Sequence, residues 1–371
     1  MVTNLQFKYT NKPISSYESL SKTLSISIQE IHDIESKSND FYTISKKIKK
    51  PDGSLRVTYK VHPRLRCVLD LLKKRVFDSV EAPEYILAGQ KNRSYILNAK
   101  THTESQMLLC EDIKSFFPSI HKKFVKKIFQ HFFFFSPDIS ESLAEISTLN
   151  NYLVQGSPLS GEIANLIFFD LEPALVERLK KYNLRYTRYY DDIYISSKEH
   201  NFYEHTEEIK RQIYRMFNTV NLKPNRKKNK ISKQSSRISV HNITVNSSKI
   251  SPSKERLSMV RKKIYIFKCS IENNIDIQDL IGQYKSLQGH ISTLKTQEYT
   301  KHKITKRELE LLISKIDERL AKKYSRKFRS VKTKENFNKL ANSSNLLTKI
   351  SPRVTGVYKD EKMKAKKRLW K

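Results

Sequence analysis

The feature that most constrains the fold is a pair of adjacent aspartates, Asp191 and Asp192, set between two strand-like segments. Residues 185–189 precede the pair and residues 193–197 follow it, and both segments are rich in aromatic and β-branched residues, as strands are. The pattern predicts a β-hairpin that presents two carboxylates at its tip. Asp also favours ordinary turns, so the pair alone does not establish a site. Two adjacent like charges repel, and a bound cation would relieve that repulsion.

A third carboxylate ends another strand-like segment. Residues 107–110 are apolar and lead into Glu111 and Asp112, which predicts a buried strand with Asp112 at its C-terminal end. Asp112 lies 79 residues before Asp191 (191 − 112), with helices between them, so we expect neighbouring strands of one sheet to bring the carboxylates together. Nucleotidyl transfer uses two divalent cations about 4 Å apart, and Mg²⁺ prefers oxygen ligands such as carboxylates. These three aspartates are therefore the candidate metal ligands.

The composition predicts a nucleic-acid partner. The chain has 371 residues, with 71 Lys and Arg against 38 Asp and Glu, and a formal net charge of +33. Charge on that scale is tolerable when a polyanion covers it. No apolar run is long enough to span a bilayer, the first residues lack the layout of a signal peptide, and the three separated cysteines are interpreted as reduced thiols. We therefore expect a cytoplasmic nucleic-acid-binding protein with no membrane partner.

Four motifs, in order along the chain, resemble those of the reverse transcriptase family. They are the first metal-binding motif at Cys110–Pro118, a nucleotide-packing loop at Gln155–Ser160, the aspartate hairpin at Tyr189–Asp192 and an Asn-x-x-Lys element at Asn225–Lys228. Ahead of them, Arg56 follows the turn at residues 51–53 and matches the arginine of the fingers in that family. The likeness covers about residues 40 to 250, and each motif alone would be a weak signal.

The resemblance implies a right-hand polymerase, an α+β fold with fingers, an antiparallel palm sheet and a helical thumb. It implies that Asp112, Asp191 and Asp192 hold two Mg²⁺ ions, for which Mn²⁺ can substitute, and that Lys228 is the candidate acid for the leaving pyrophosphate. The implied nucleotide-binding residues are Arg56 at the triphosphate, Phe117 under the sugar, where it excludes a 2′-hydroxyl, Gln155 and Gly156. The expected parts are an N-terminal helix with the fingers (1–105), the palm (106–250), the thumb (251–330) and a basic extension (331–371).

A fifth element, Asn98-Ala99-Lys100-Thr101-His102, lies ten residues before Asp112 (112 − 102) and resembles one carried by retron reverse transcriptases. Those bacterial enzymes prime from a 2′-hydroxyl of a structured non-coding RNA, make branched RNA-linked single-stranded DNA (msDNA), and are associated with phage defence through a separate effector protein. The resemblance implies four kinds of partner: the structured RNA as template and primer, deoxynucleoside triphosphates, the DNA product and a separate effector protein. Asn98 and His102 are then expected to bind RNA. The alternative is that Asn98 caps a helix and His102 is a surface or core histidine.

Two positions depart from the pattern. His241-Asn242 stands where retron enzymes usually carry Thr-Gly, which we expect to alter RNA recognition and not the polymerase chemistry. Tyr190 stands where Ala is commoner, and we expect it to crowd the primer end.

The chain after residue 250 is basic and helical in pattern. Ser251 or Ser253 is expected to cap a helix that reaches about Cys269, and this helix is expected to contact duplex backbone; the alternative is a solvated helix face. Its candidate RNA-binding residues are Arg256, Arg261, Lys262 and Lys263.

The remaining patterns predict one helix over residues 18–36, a hairpin over 42–61, a helix opening at Pro118 and a long helix over 158–179. Further helices are expected at 276–288 and 304–324, with Gly289 as a candidate helix end. Two alternatives to a retron enzyme stay open. One is another bacterial reverse transcriptase, intron-type or phage-defence, without a branched product. The other is an RNA-binding scaffold with a vestigial polymerase site.

Overall fold

The computed structural model describes residues 4–49, 53, 55–199, 202–273, 277–350 and 355–370. The chain divides into two units, the first formed by residues 1–241 with 245–248 and the second by residues 242–244 with 249–371. The finer division into fingers, palm, thumb and extension remains a prediction.

Near the start of the first unit, two short helices occur where one helix was predicted over residues 18–36. After β1 (Lys8–Tyr9), α1 (Tyr17–Leu24) ends because Ser25 adopts a left-handed backbone with φ of 53°, which a right-handed helix cannot include. The Ser27 hydroxyl then accepts a hydrogen bond from the Glu30 N–H and caps the second helix. That helix is α2 (Ile28–Ser36).

The predicted hairpin over residues 42–61 is present. Strands β2 (Tyr42–Lys49) and β3 (Leu55–Val61) pair in antiparallel register, and Pro51 and Asp52 of the predicted turn lie outside the described residues. Helix α3 (Pro63–Arg75) follows, with a proline in its first turn, where no intrahelical donor is needed.

A four-stranded antiparallel sheet lies at the centre of the first unit. Its strands are β5 (Met107–Asp112), β6 (Arg185–Tyr189), β7 (Asp192–Ser197) and β8 (Lys230–Lys233), in the order β6-β7-β5-β8. Apolar side chains such as Leu109, Ile193 and Ile195 are buried in the main core. The predicted strands on either side of the aspartate pair are thus confirmed.

The prediction of one long helix over residues 158–179 is wrong. This segment forms two helices, α8 (Ser160–Asn165) and α9 (Glu172–Lys181), which are separated by turns. Pro173 sits in the first turn of α9, because a proline in the middle of a helix would clash with the carbonyl four residues earlier. The helix expected to open at Pro118 is likewise short, and its four residues begin before the proline, at α5 (Phe116–Ser119).

The other elements of this unit connect and cover the sheet. They are β4 (Val80–Glu81), α4 (Tyr95–Thr101), α6 (Lys122–Lys127), α7 (Pro137–Ser147), α10 (Thr206–Thr219) and β9 (Ser239–Val240).

The second unit is mainly helical. After a short antiparallel pair, β10 (Ile243–Thr244) and β11 (Ser251–Pro252), come α11 (Lys254–Glu272), α12 (Ile277–Thr296), α13 (His302–Ser330), α14 (Lys334–Ile350) and α15 (Thr355–Trp370). The helix expected to end at Gly289 continues through it in α12. Over the described residues, no helix combines the length and apolar character needed to cross a membrane.

Candidate active site

Two of the predicted metal ligands lie directly opposite each other on neighbouring strands. Strands β5 and β7 pair with Asp112 opposite Asp192. Asp191 precedes β7, and its carbonyl accepts a hydrogen bond from the Ile113 N–H at 3.0 Å. The sheet therefore brings the three aspartates to one end, as the sequence predicted.

Both carboxylate oxygens of Asp112 accept hydrogen bonds from the predicted Asn-x-x-Lys element. The Asn225 side-chain amide donates to Oδ1 at 2.7 Å, and the Lys228 ammonium donates to Oδ2 at 2.8 Å. The Asn225 N–H also donates to the Asp112 carbonyl at 2.7 Å. In the part of the chain that the structure describes, no group of three or more His, Cys, Asp or Glu side chains is arranged to hold a metal ion. Asp112 is held by nitrogen donors instead.

The electrostatics of the aspartates favour a cation. Burial, followed by the charges of Asp191 and Asp112, raises the pKa of Asp192 well above its usual range. Burial and the charge of Asp112 also raise the pKa of Asp191, while Lys228 and Arg56 act in the opposite direction. The buried carboxylates thus repel one another in their ionised forms, and their oxygens are the ligands that Mg²⁺ prefers. This donor set fits a divalent cation.

Two predicted nucleotide-binding residues, Arg56 and Gln155, line one cavity of about 350 Å³. The Gln155 carbonyl accepts a hydrogen bond from the Tyr59 N–H of β3 at 2.8 Å. Gly156 has a φ of 115°, and a Cβ at that position would overlap the Tyr59 carbonyl oxygen. Only glycine allows the loop to approach β3 so closely.

Phe117 and Tyr190 face each other, with ring centroids 5.8 Å apart. Tyr190 has a left-handed backbone, with φ of 55°. A Cβ at Gly89 would lie 2.7 Å from the Tyr190 hydroxyl, and one at Gly161 would lie 3.0 Å from it. The tyrosine therefore fits because two neighbouring positions lack side chains. Burial raises its pKa to about 12.

The chain matches a known family. The model of "Reverse transcriptase (RNA-dependent DNA polymerase)" matches residues 48–251. The retron Ec48 reverse transcriptase of Escherichia coli is 30% identical over 321 residues, which cover 82% of this chain and 78% of that protein. The retron Se72 reverse transcriptase of Salmonella heidelberg is 33% identical over 264 residues, 70% of each chain. The chain belongs to the retron-type reverse transcriptases.

Membership of this family establishes the activity and the architecture of the chain. The enzyme is an RNA-directed DNA polymerase with the α+β right-hand fold that the motifs predicted, and reverse transcriptases use divalent metal ions. Among solved structures, apo telomerase from Candida Tropicalis aligns with a TM-score of 0.42 and 11% identity, over 95% of this chain and 68% of that one.

Asn98 and His102 of this reverse transcriptase lie in the interior, so the prediction that their side chains bind RNA is wrong. Asn98 lies on α4 and His102 is the residue that ends it, about one turn later, and neither side chain has exposed surface. The His102 ring nitrogens bond to the hydroxyls of Thr187 and Ser196, each at 2.7 Å. His102 is the core histidine of the alternative interpretation, and burial lowers its pKa to about 3. Ser94, and not Asn98, caps α4.

His241 is a residue whose place in the polymerase site the sequence did not reveal. Its ring lies 4.7 Å from the Tyr189 ring and 5.1 Å from the Tyr194 ring, and its Nδ1 is 3.9 Å from Asp192 Oδ2. Burial lowers the pKa of His241 to about 4. The departure from Thr-Gly thus places an imidazole beside the carboxylate of Asp192, where we had expected an effect on RNA recognition alone.

A buried ion pair supports the aspartate hairpin and was also missed. Arg188 of β6 donates to Glu172 of α9 at 2.6 and 2.8 Å, with both side chains fully buried. Arg188 also donates to the carbonyls of Asn165 (2.7 Å) and Tyr190 (3.4 Å). In sequence, an arginine in a strand resembles a solvent-facing residue, so no local signal marks it.

The four basic candidates lie in the second unit, on α11. Ser253 caps this helix by accepting a hydrogen bond from the Arg256 N–H, as predicted, and Val260, Ile264 and Phe267 form its buried side. Arg261 and Lys262 are exposed, and Arg256 and Lys263 are partly buried. Their contact with RNA remains a prediction.

Proposed function

We propose that this reverse transcriptase binds a structured non-coding RNA, primes from a hydroxyl of that RNA, and copies part of it into branched RNA-linked DNA (msDNA). The pairing of Asp112 with Asp192 carries the polymerase part of the proposal. The relatives named as retron enzymes support the branched product. We further propose that it acts in the cytoplasm, with a separate effector protein, in defence against phage.

We propose that Asp112, Asp191 and Asp192 hold two Mg²⁺ ions, with Mn²⁺ as a substitute. Such ions would activate the attacking hydroxyl and offset charge on the triphosphate. The burial of these carboxylates and their mutual repulsion support this assignment.

We propose roles for four further residues and for the glycine of the loop. Arg56 and Gln155 border the cavity beside β3 and would bind the triphosphate and the nucleotide, while Gly156 lets the loop close on that strand. Phe117 would exclude a ribose 2′-hydroxyl by its bulk. The Lys228 ammonium nitrogen lies 2.8 Å from Asp112 Oδ2, and this group would donate a proton to the leaving pyrophosphate.

The test is to sequence the nucleic acid that copurifies when the gene is expressed with its native flanking DNA. We expect one short, discrete DNA species joined to RNA, and we expect it to be absent from the Asp191→Asn, Asp192→Asn variant. A matched control, Asp70→Asn with Asp138→Asn, removes the same charge elsewhere and is expected to keep the product. DNA without a branch would favour an intron-type or other phage-defence enzyme. RNA with no attached DNA in the parent protein would refute the proposal.

A further inference from the structure

A chain of four hydrogen bonds crosses the interior from Ser196 to His241. The links are Ser196 Oγ to His102 Nδ1 (2.7 Å), His102 Nε2 to Thr187 Oγ1 (2.7 Å), Thr187 Oγ1 to Asn98 Oδ1 (2.6 Å) and Asn98 Nδ2 to His241 Nε2 (2.9 Å). Asn98, His102 and Ser196 are fully buried and Thr187 nearly so, so water does not compete for the first three of these bonds.

The donor and acceptor types fix the direction of the chain. The Thr187 hydroxyl donates its hydrogen bond to the Asn98 carbonyl oxygen, so it accepts the hydrogen bond that His102 Nε2–H donates. The same bond turns the NH₂ of Asn98 towards His241. An amide NH₂ only donates, so Nε2 of His241 is the acceptor.

It follows that His241 is neutral and carries its proton on Nδ1. An imidazolium has two N–H donors and no acceptor, and cannot receive the Asn98 bond. Nδ1, the atom that carries this proton, lies 3.4 Å from the Tyr194 hydroxyl oxygen and 3.9 Å from Asp192 Oδ2, so its interaction with the carboxylate is electrostatic and not a hydrogen bond. The rings of Tyr189 and Tyr194 pack against the imidazole and restrict its rotation.

We propose that His241 is a positioning residue for Asp192, and that Asn98 sets its tautomer. This inference rests on the proposed function, in which Asp192 binds metal. A neutral N–H dipole orients the carboxylate without competing with a cation for it, whereas the Lys228 ammonium forms an ion pair with Asp112. The element at residues 98–102 then serves the polymerase site from inside the protein.

The first experiment compares the parent chain with His241→Ala and Asn98→Ala. Nucleotide addition is measured on a supplied RNA template with a DNA primer, and Mn²⁺ binding is measured separately by electron paramagnetic resonance titration of the nuclease-treated, metal-free protein. We expect both variants to lose about 10- to 100-fold in Mn²⁺ affinity or in kcat, as changes next to metal ligands do, with the KM for the nucleotide unchanged. His32→Ala, at an exposed histidine of α2, is the matched control and should behave as the parent.

Two further variants separate positioning from general damage. His241→Gln keeps one acceptor and one donor, and is expected to recover most of what His241→Ala loses. The double variant Asn98→Ala, His241→Ala is expected to be no worse than His241→Ala, because Asn98 acts through His241. Thermal unfolding midpoints identify any variant whose loss comes from unfolding, and ¹⁵N NMR of the imidazole is expected to show the Nδ1–H tautomer in the parent and a mixture in Asn98→Ala.

The outcomes distinguish this proposal from the one on which it rests. If Asp191→Asn, Asp192→Asn binds Mn²⁺ as tightly as the parent, the metal site itself is wrong. If that variant loses Mn²⁺ while folded His241→Ala keeps parental affinity and kcat, only the positioning role is overturned. Additive losses in the double variant, or an Asn98→Ala protein that loses affinity for RNA alone, would also overturn it.

Discussion

At position 156 the loop at Gln155–Ser160, which is predicted to pack on the nucleotide, touches β3 so closely that no side chain fits. Gly156→Ala would place a Cβ against the Tyr59 carbonyl in a left-handed backbone, so the loop must move away from the strand. We expect a loss of about 1–3 kcal/mol in the free energy of unfolding and a higher KM for the nucleotide, measured by denaturant titration and steady-state incorporation. Gly282→Ala is the control, because a Cβ there meets nothing within 4 Å and alanine favours a helix. Parental KM in Gly156→Ala would contradict the assignment of this loop.

His102 makes stability depend on pH. Its folded pKa is about 3, below the unfolded value of about 6.5, so between these values the unfolded chain binds the additional proton. Its contribution is therefore complete above pH 6.5 and is lost as the pH falls towards 3, by about 1.4 kcal/mol per pH unit. Denaturant titrations of the parent and of His102→Gln from pH 7 to pH 4 test this. The variant should start less stable but show a shallower decline, and identical slopes would show that His102 titrates normally.

At the scale of elements, the Arg188–Glu172 pair joins β6 to α9. Glu172→Gln leaves a buried arginine without its counter-charge, and we expect a loss of about 3–5 kcal/mol in the free energy of unfolding. The double variant Glu172→Leu, Arg188→Met removes both charges and should lose much less. Chemical denaturation of both proteins gives the comparison. A double variant as unstable as Glu172→Gln would mean that the pair matters for its shape and not for its charge balance.

Local sequence patterns identified the elements that depend on local interactions. The strands of the sheet were predictable because apolar runs end in Asp112 and flank Asp191, and the cap at Ser253 lies next to the helix that it begins. The interior contacts of Asn98 were not predictable from local patterns, because its partners Thr187 and His241 lie 89 and 143 residues away in the sequence.

The helix over residues 158–179 was mispredicted for a related reason. Apolar residues at helical spacing continue past Asn165, although the helix ends there. Periodicity reports which side of a segment is buried and does not report whether the backbone hydrogen bonds continue. Burial in the main core, which includes Leu166, Ile167 and Phe168, produces the same apolar pattern in turns as in a helix.

For the whole molecule, the charge of +33 predicts that RNA affinity falls steeply with salt. Replacing Arg261 and Lys262, both exposed on α11, with Gln is expected to weaken binding and to lower the slope of log K against log salt by about 0.7–0.9 for each phosphate that is no longer neutralised. Filter binding of a structured RNA from 50 to 300 mM salt, as a rough working range, measures both. Lys22→Gln with Lys37→Gln removes the same charge from the first unit and should leave the slope unchanged. An unchanged slope in the α11 variant would mean that α11 is a solvated helix face.

The contact of the Tyr190 hydroxyl with Gly89 and Gly161 couples these three positions. Because a methyl group at either glycine would press on that hydroxyl, a side chain there requires Tyr190 to shift. A smaller residue at 190 would remove the contact and make room for such a side chain. Sequence libraries built from this enzyme should therefore vary the three positions together, because scans of single positions will miss the viable combinations.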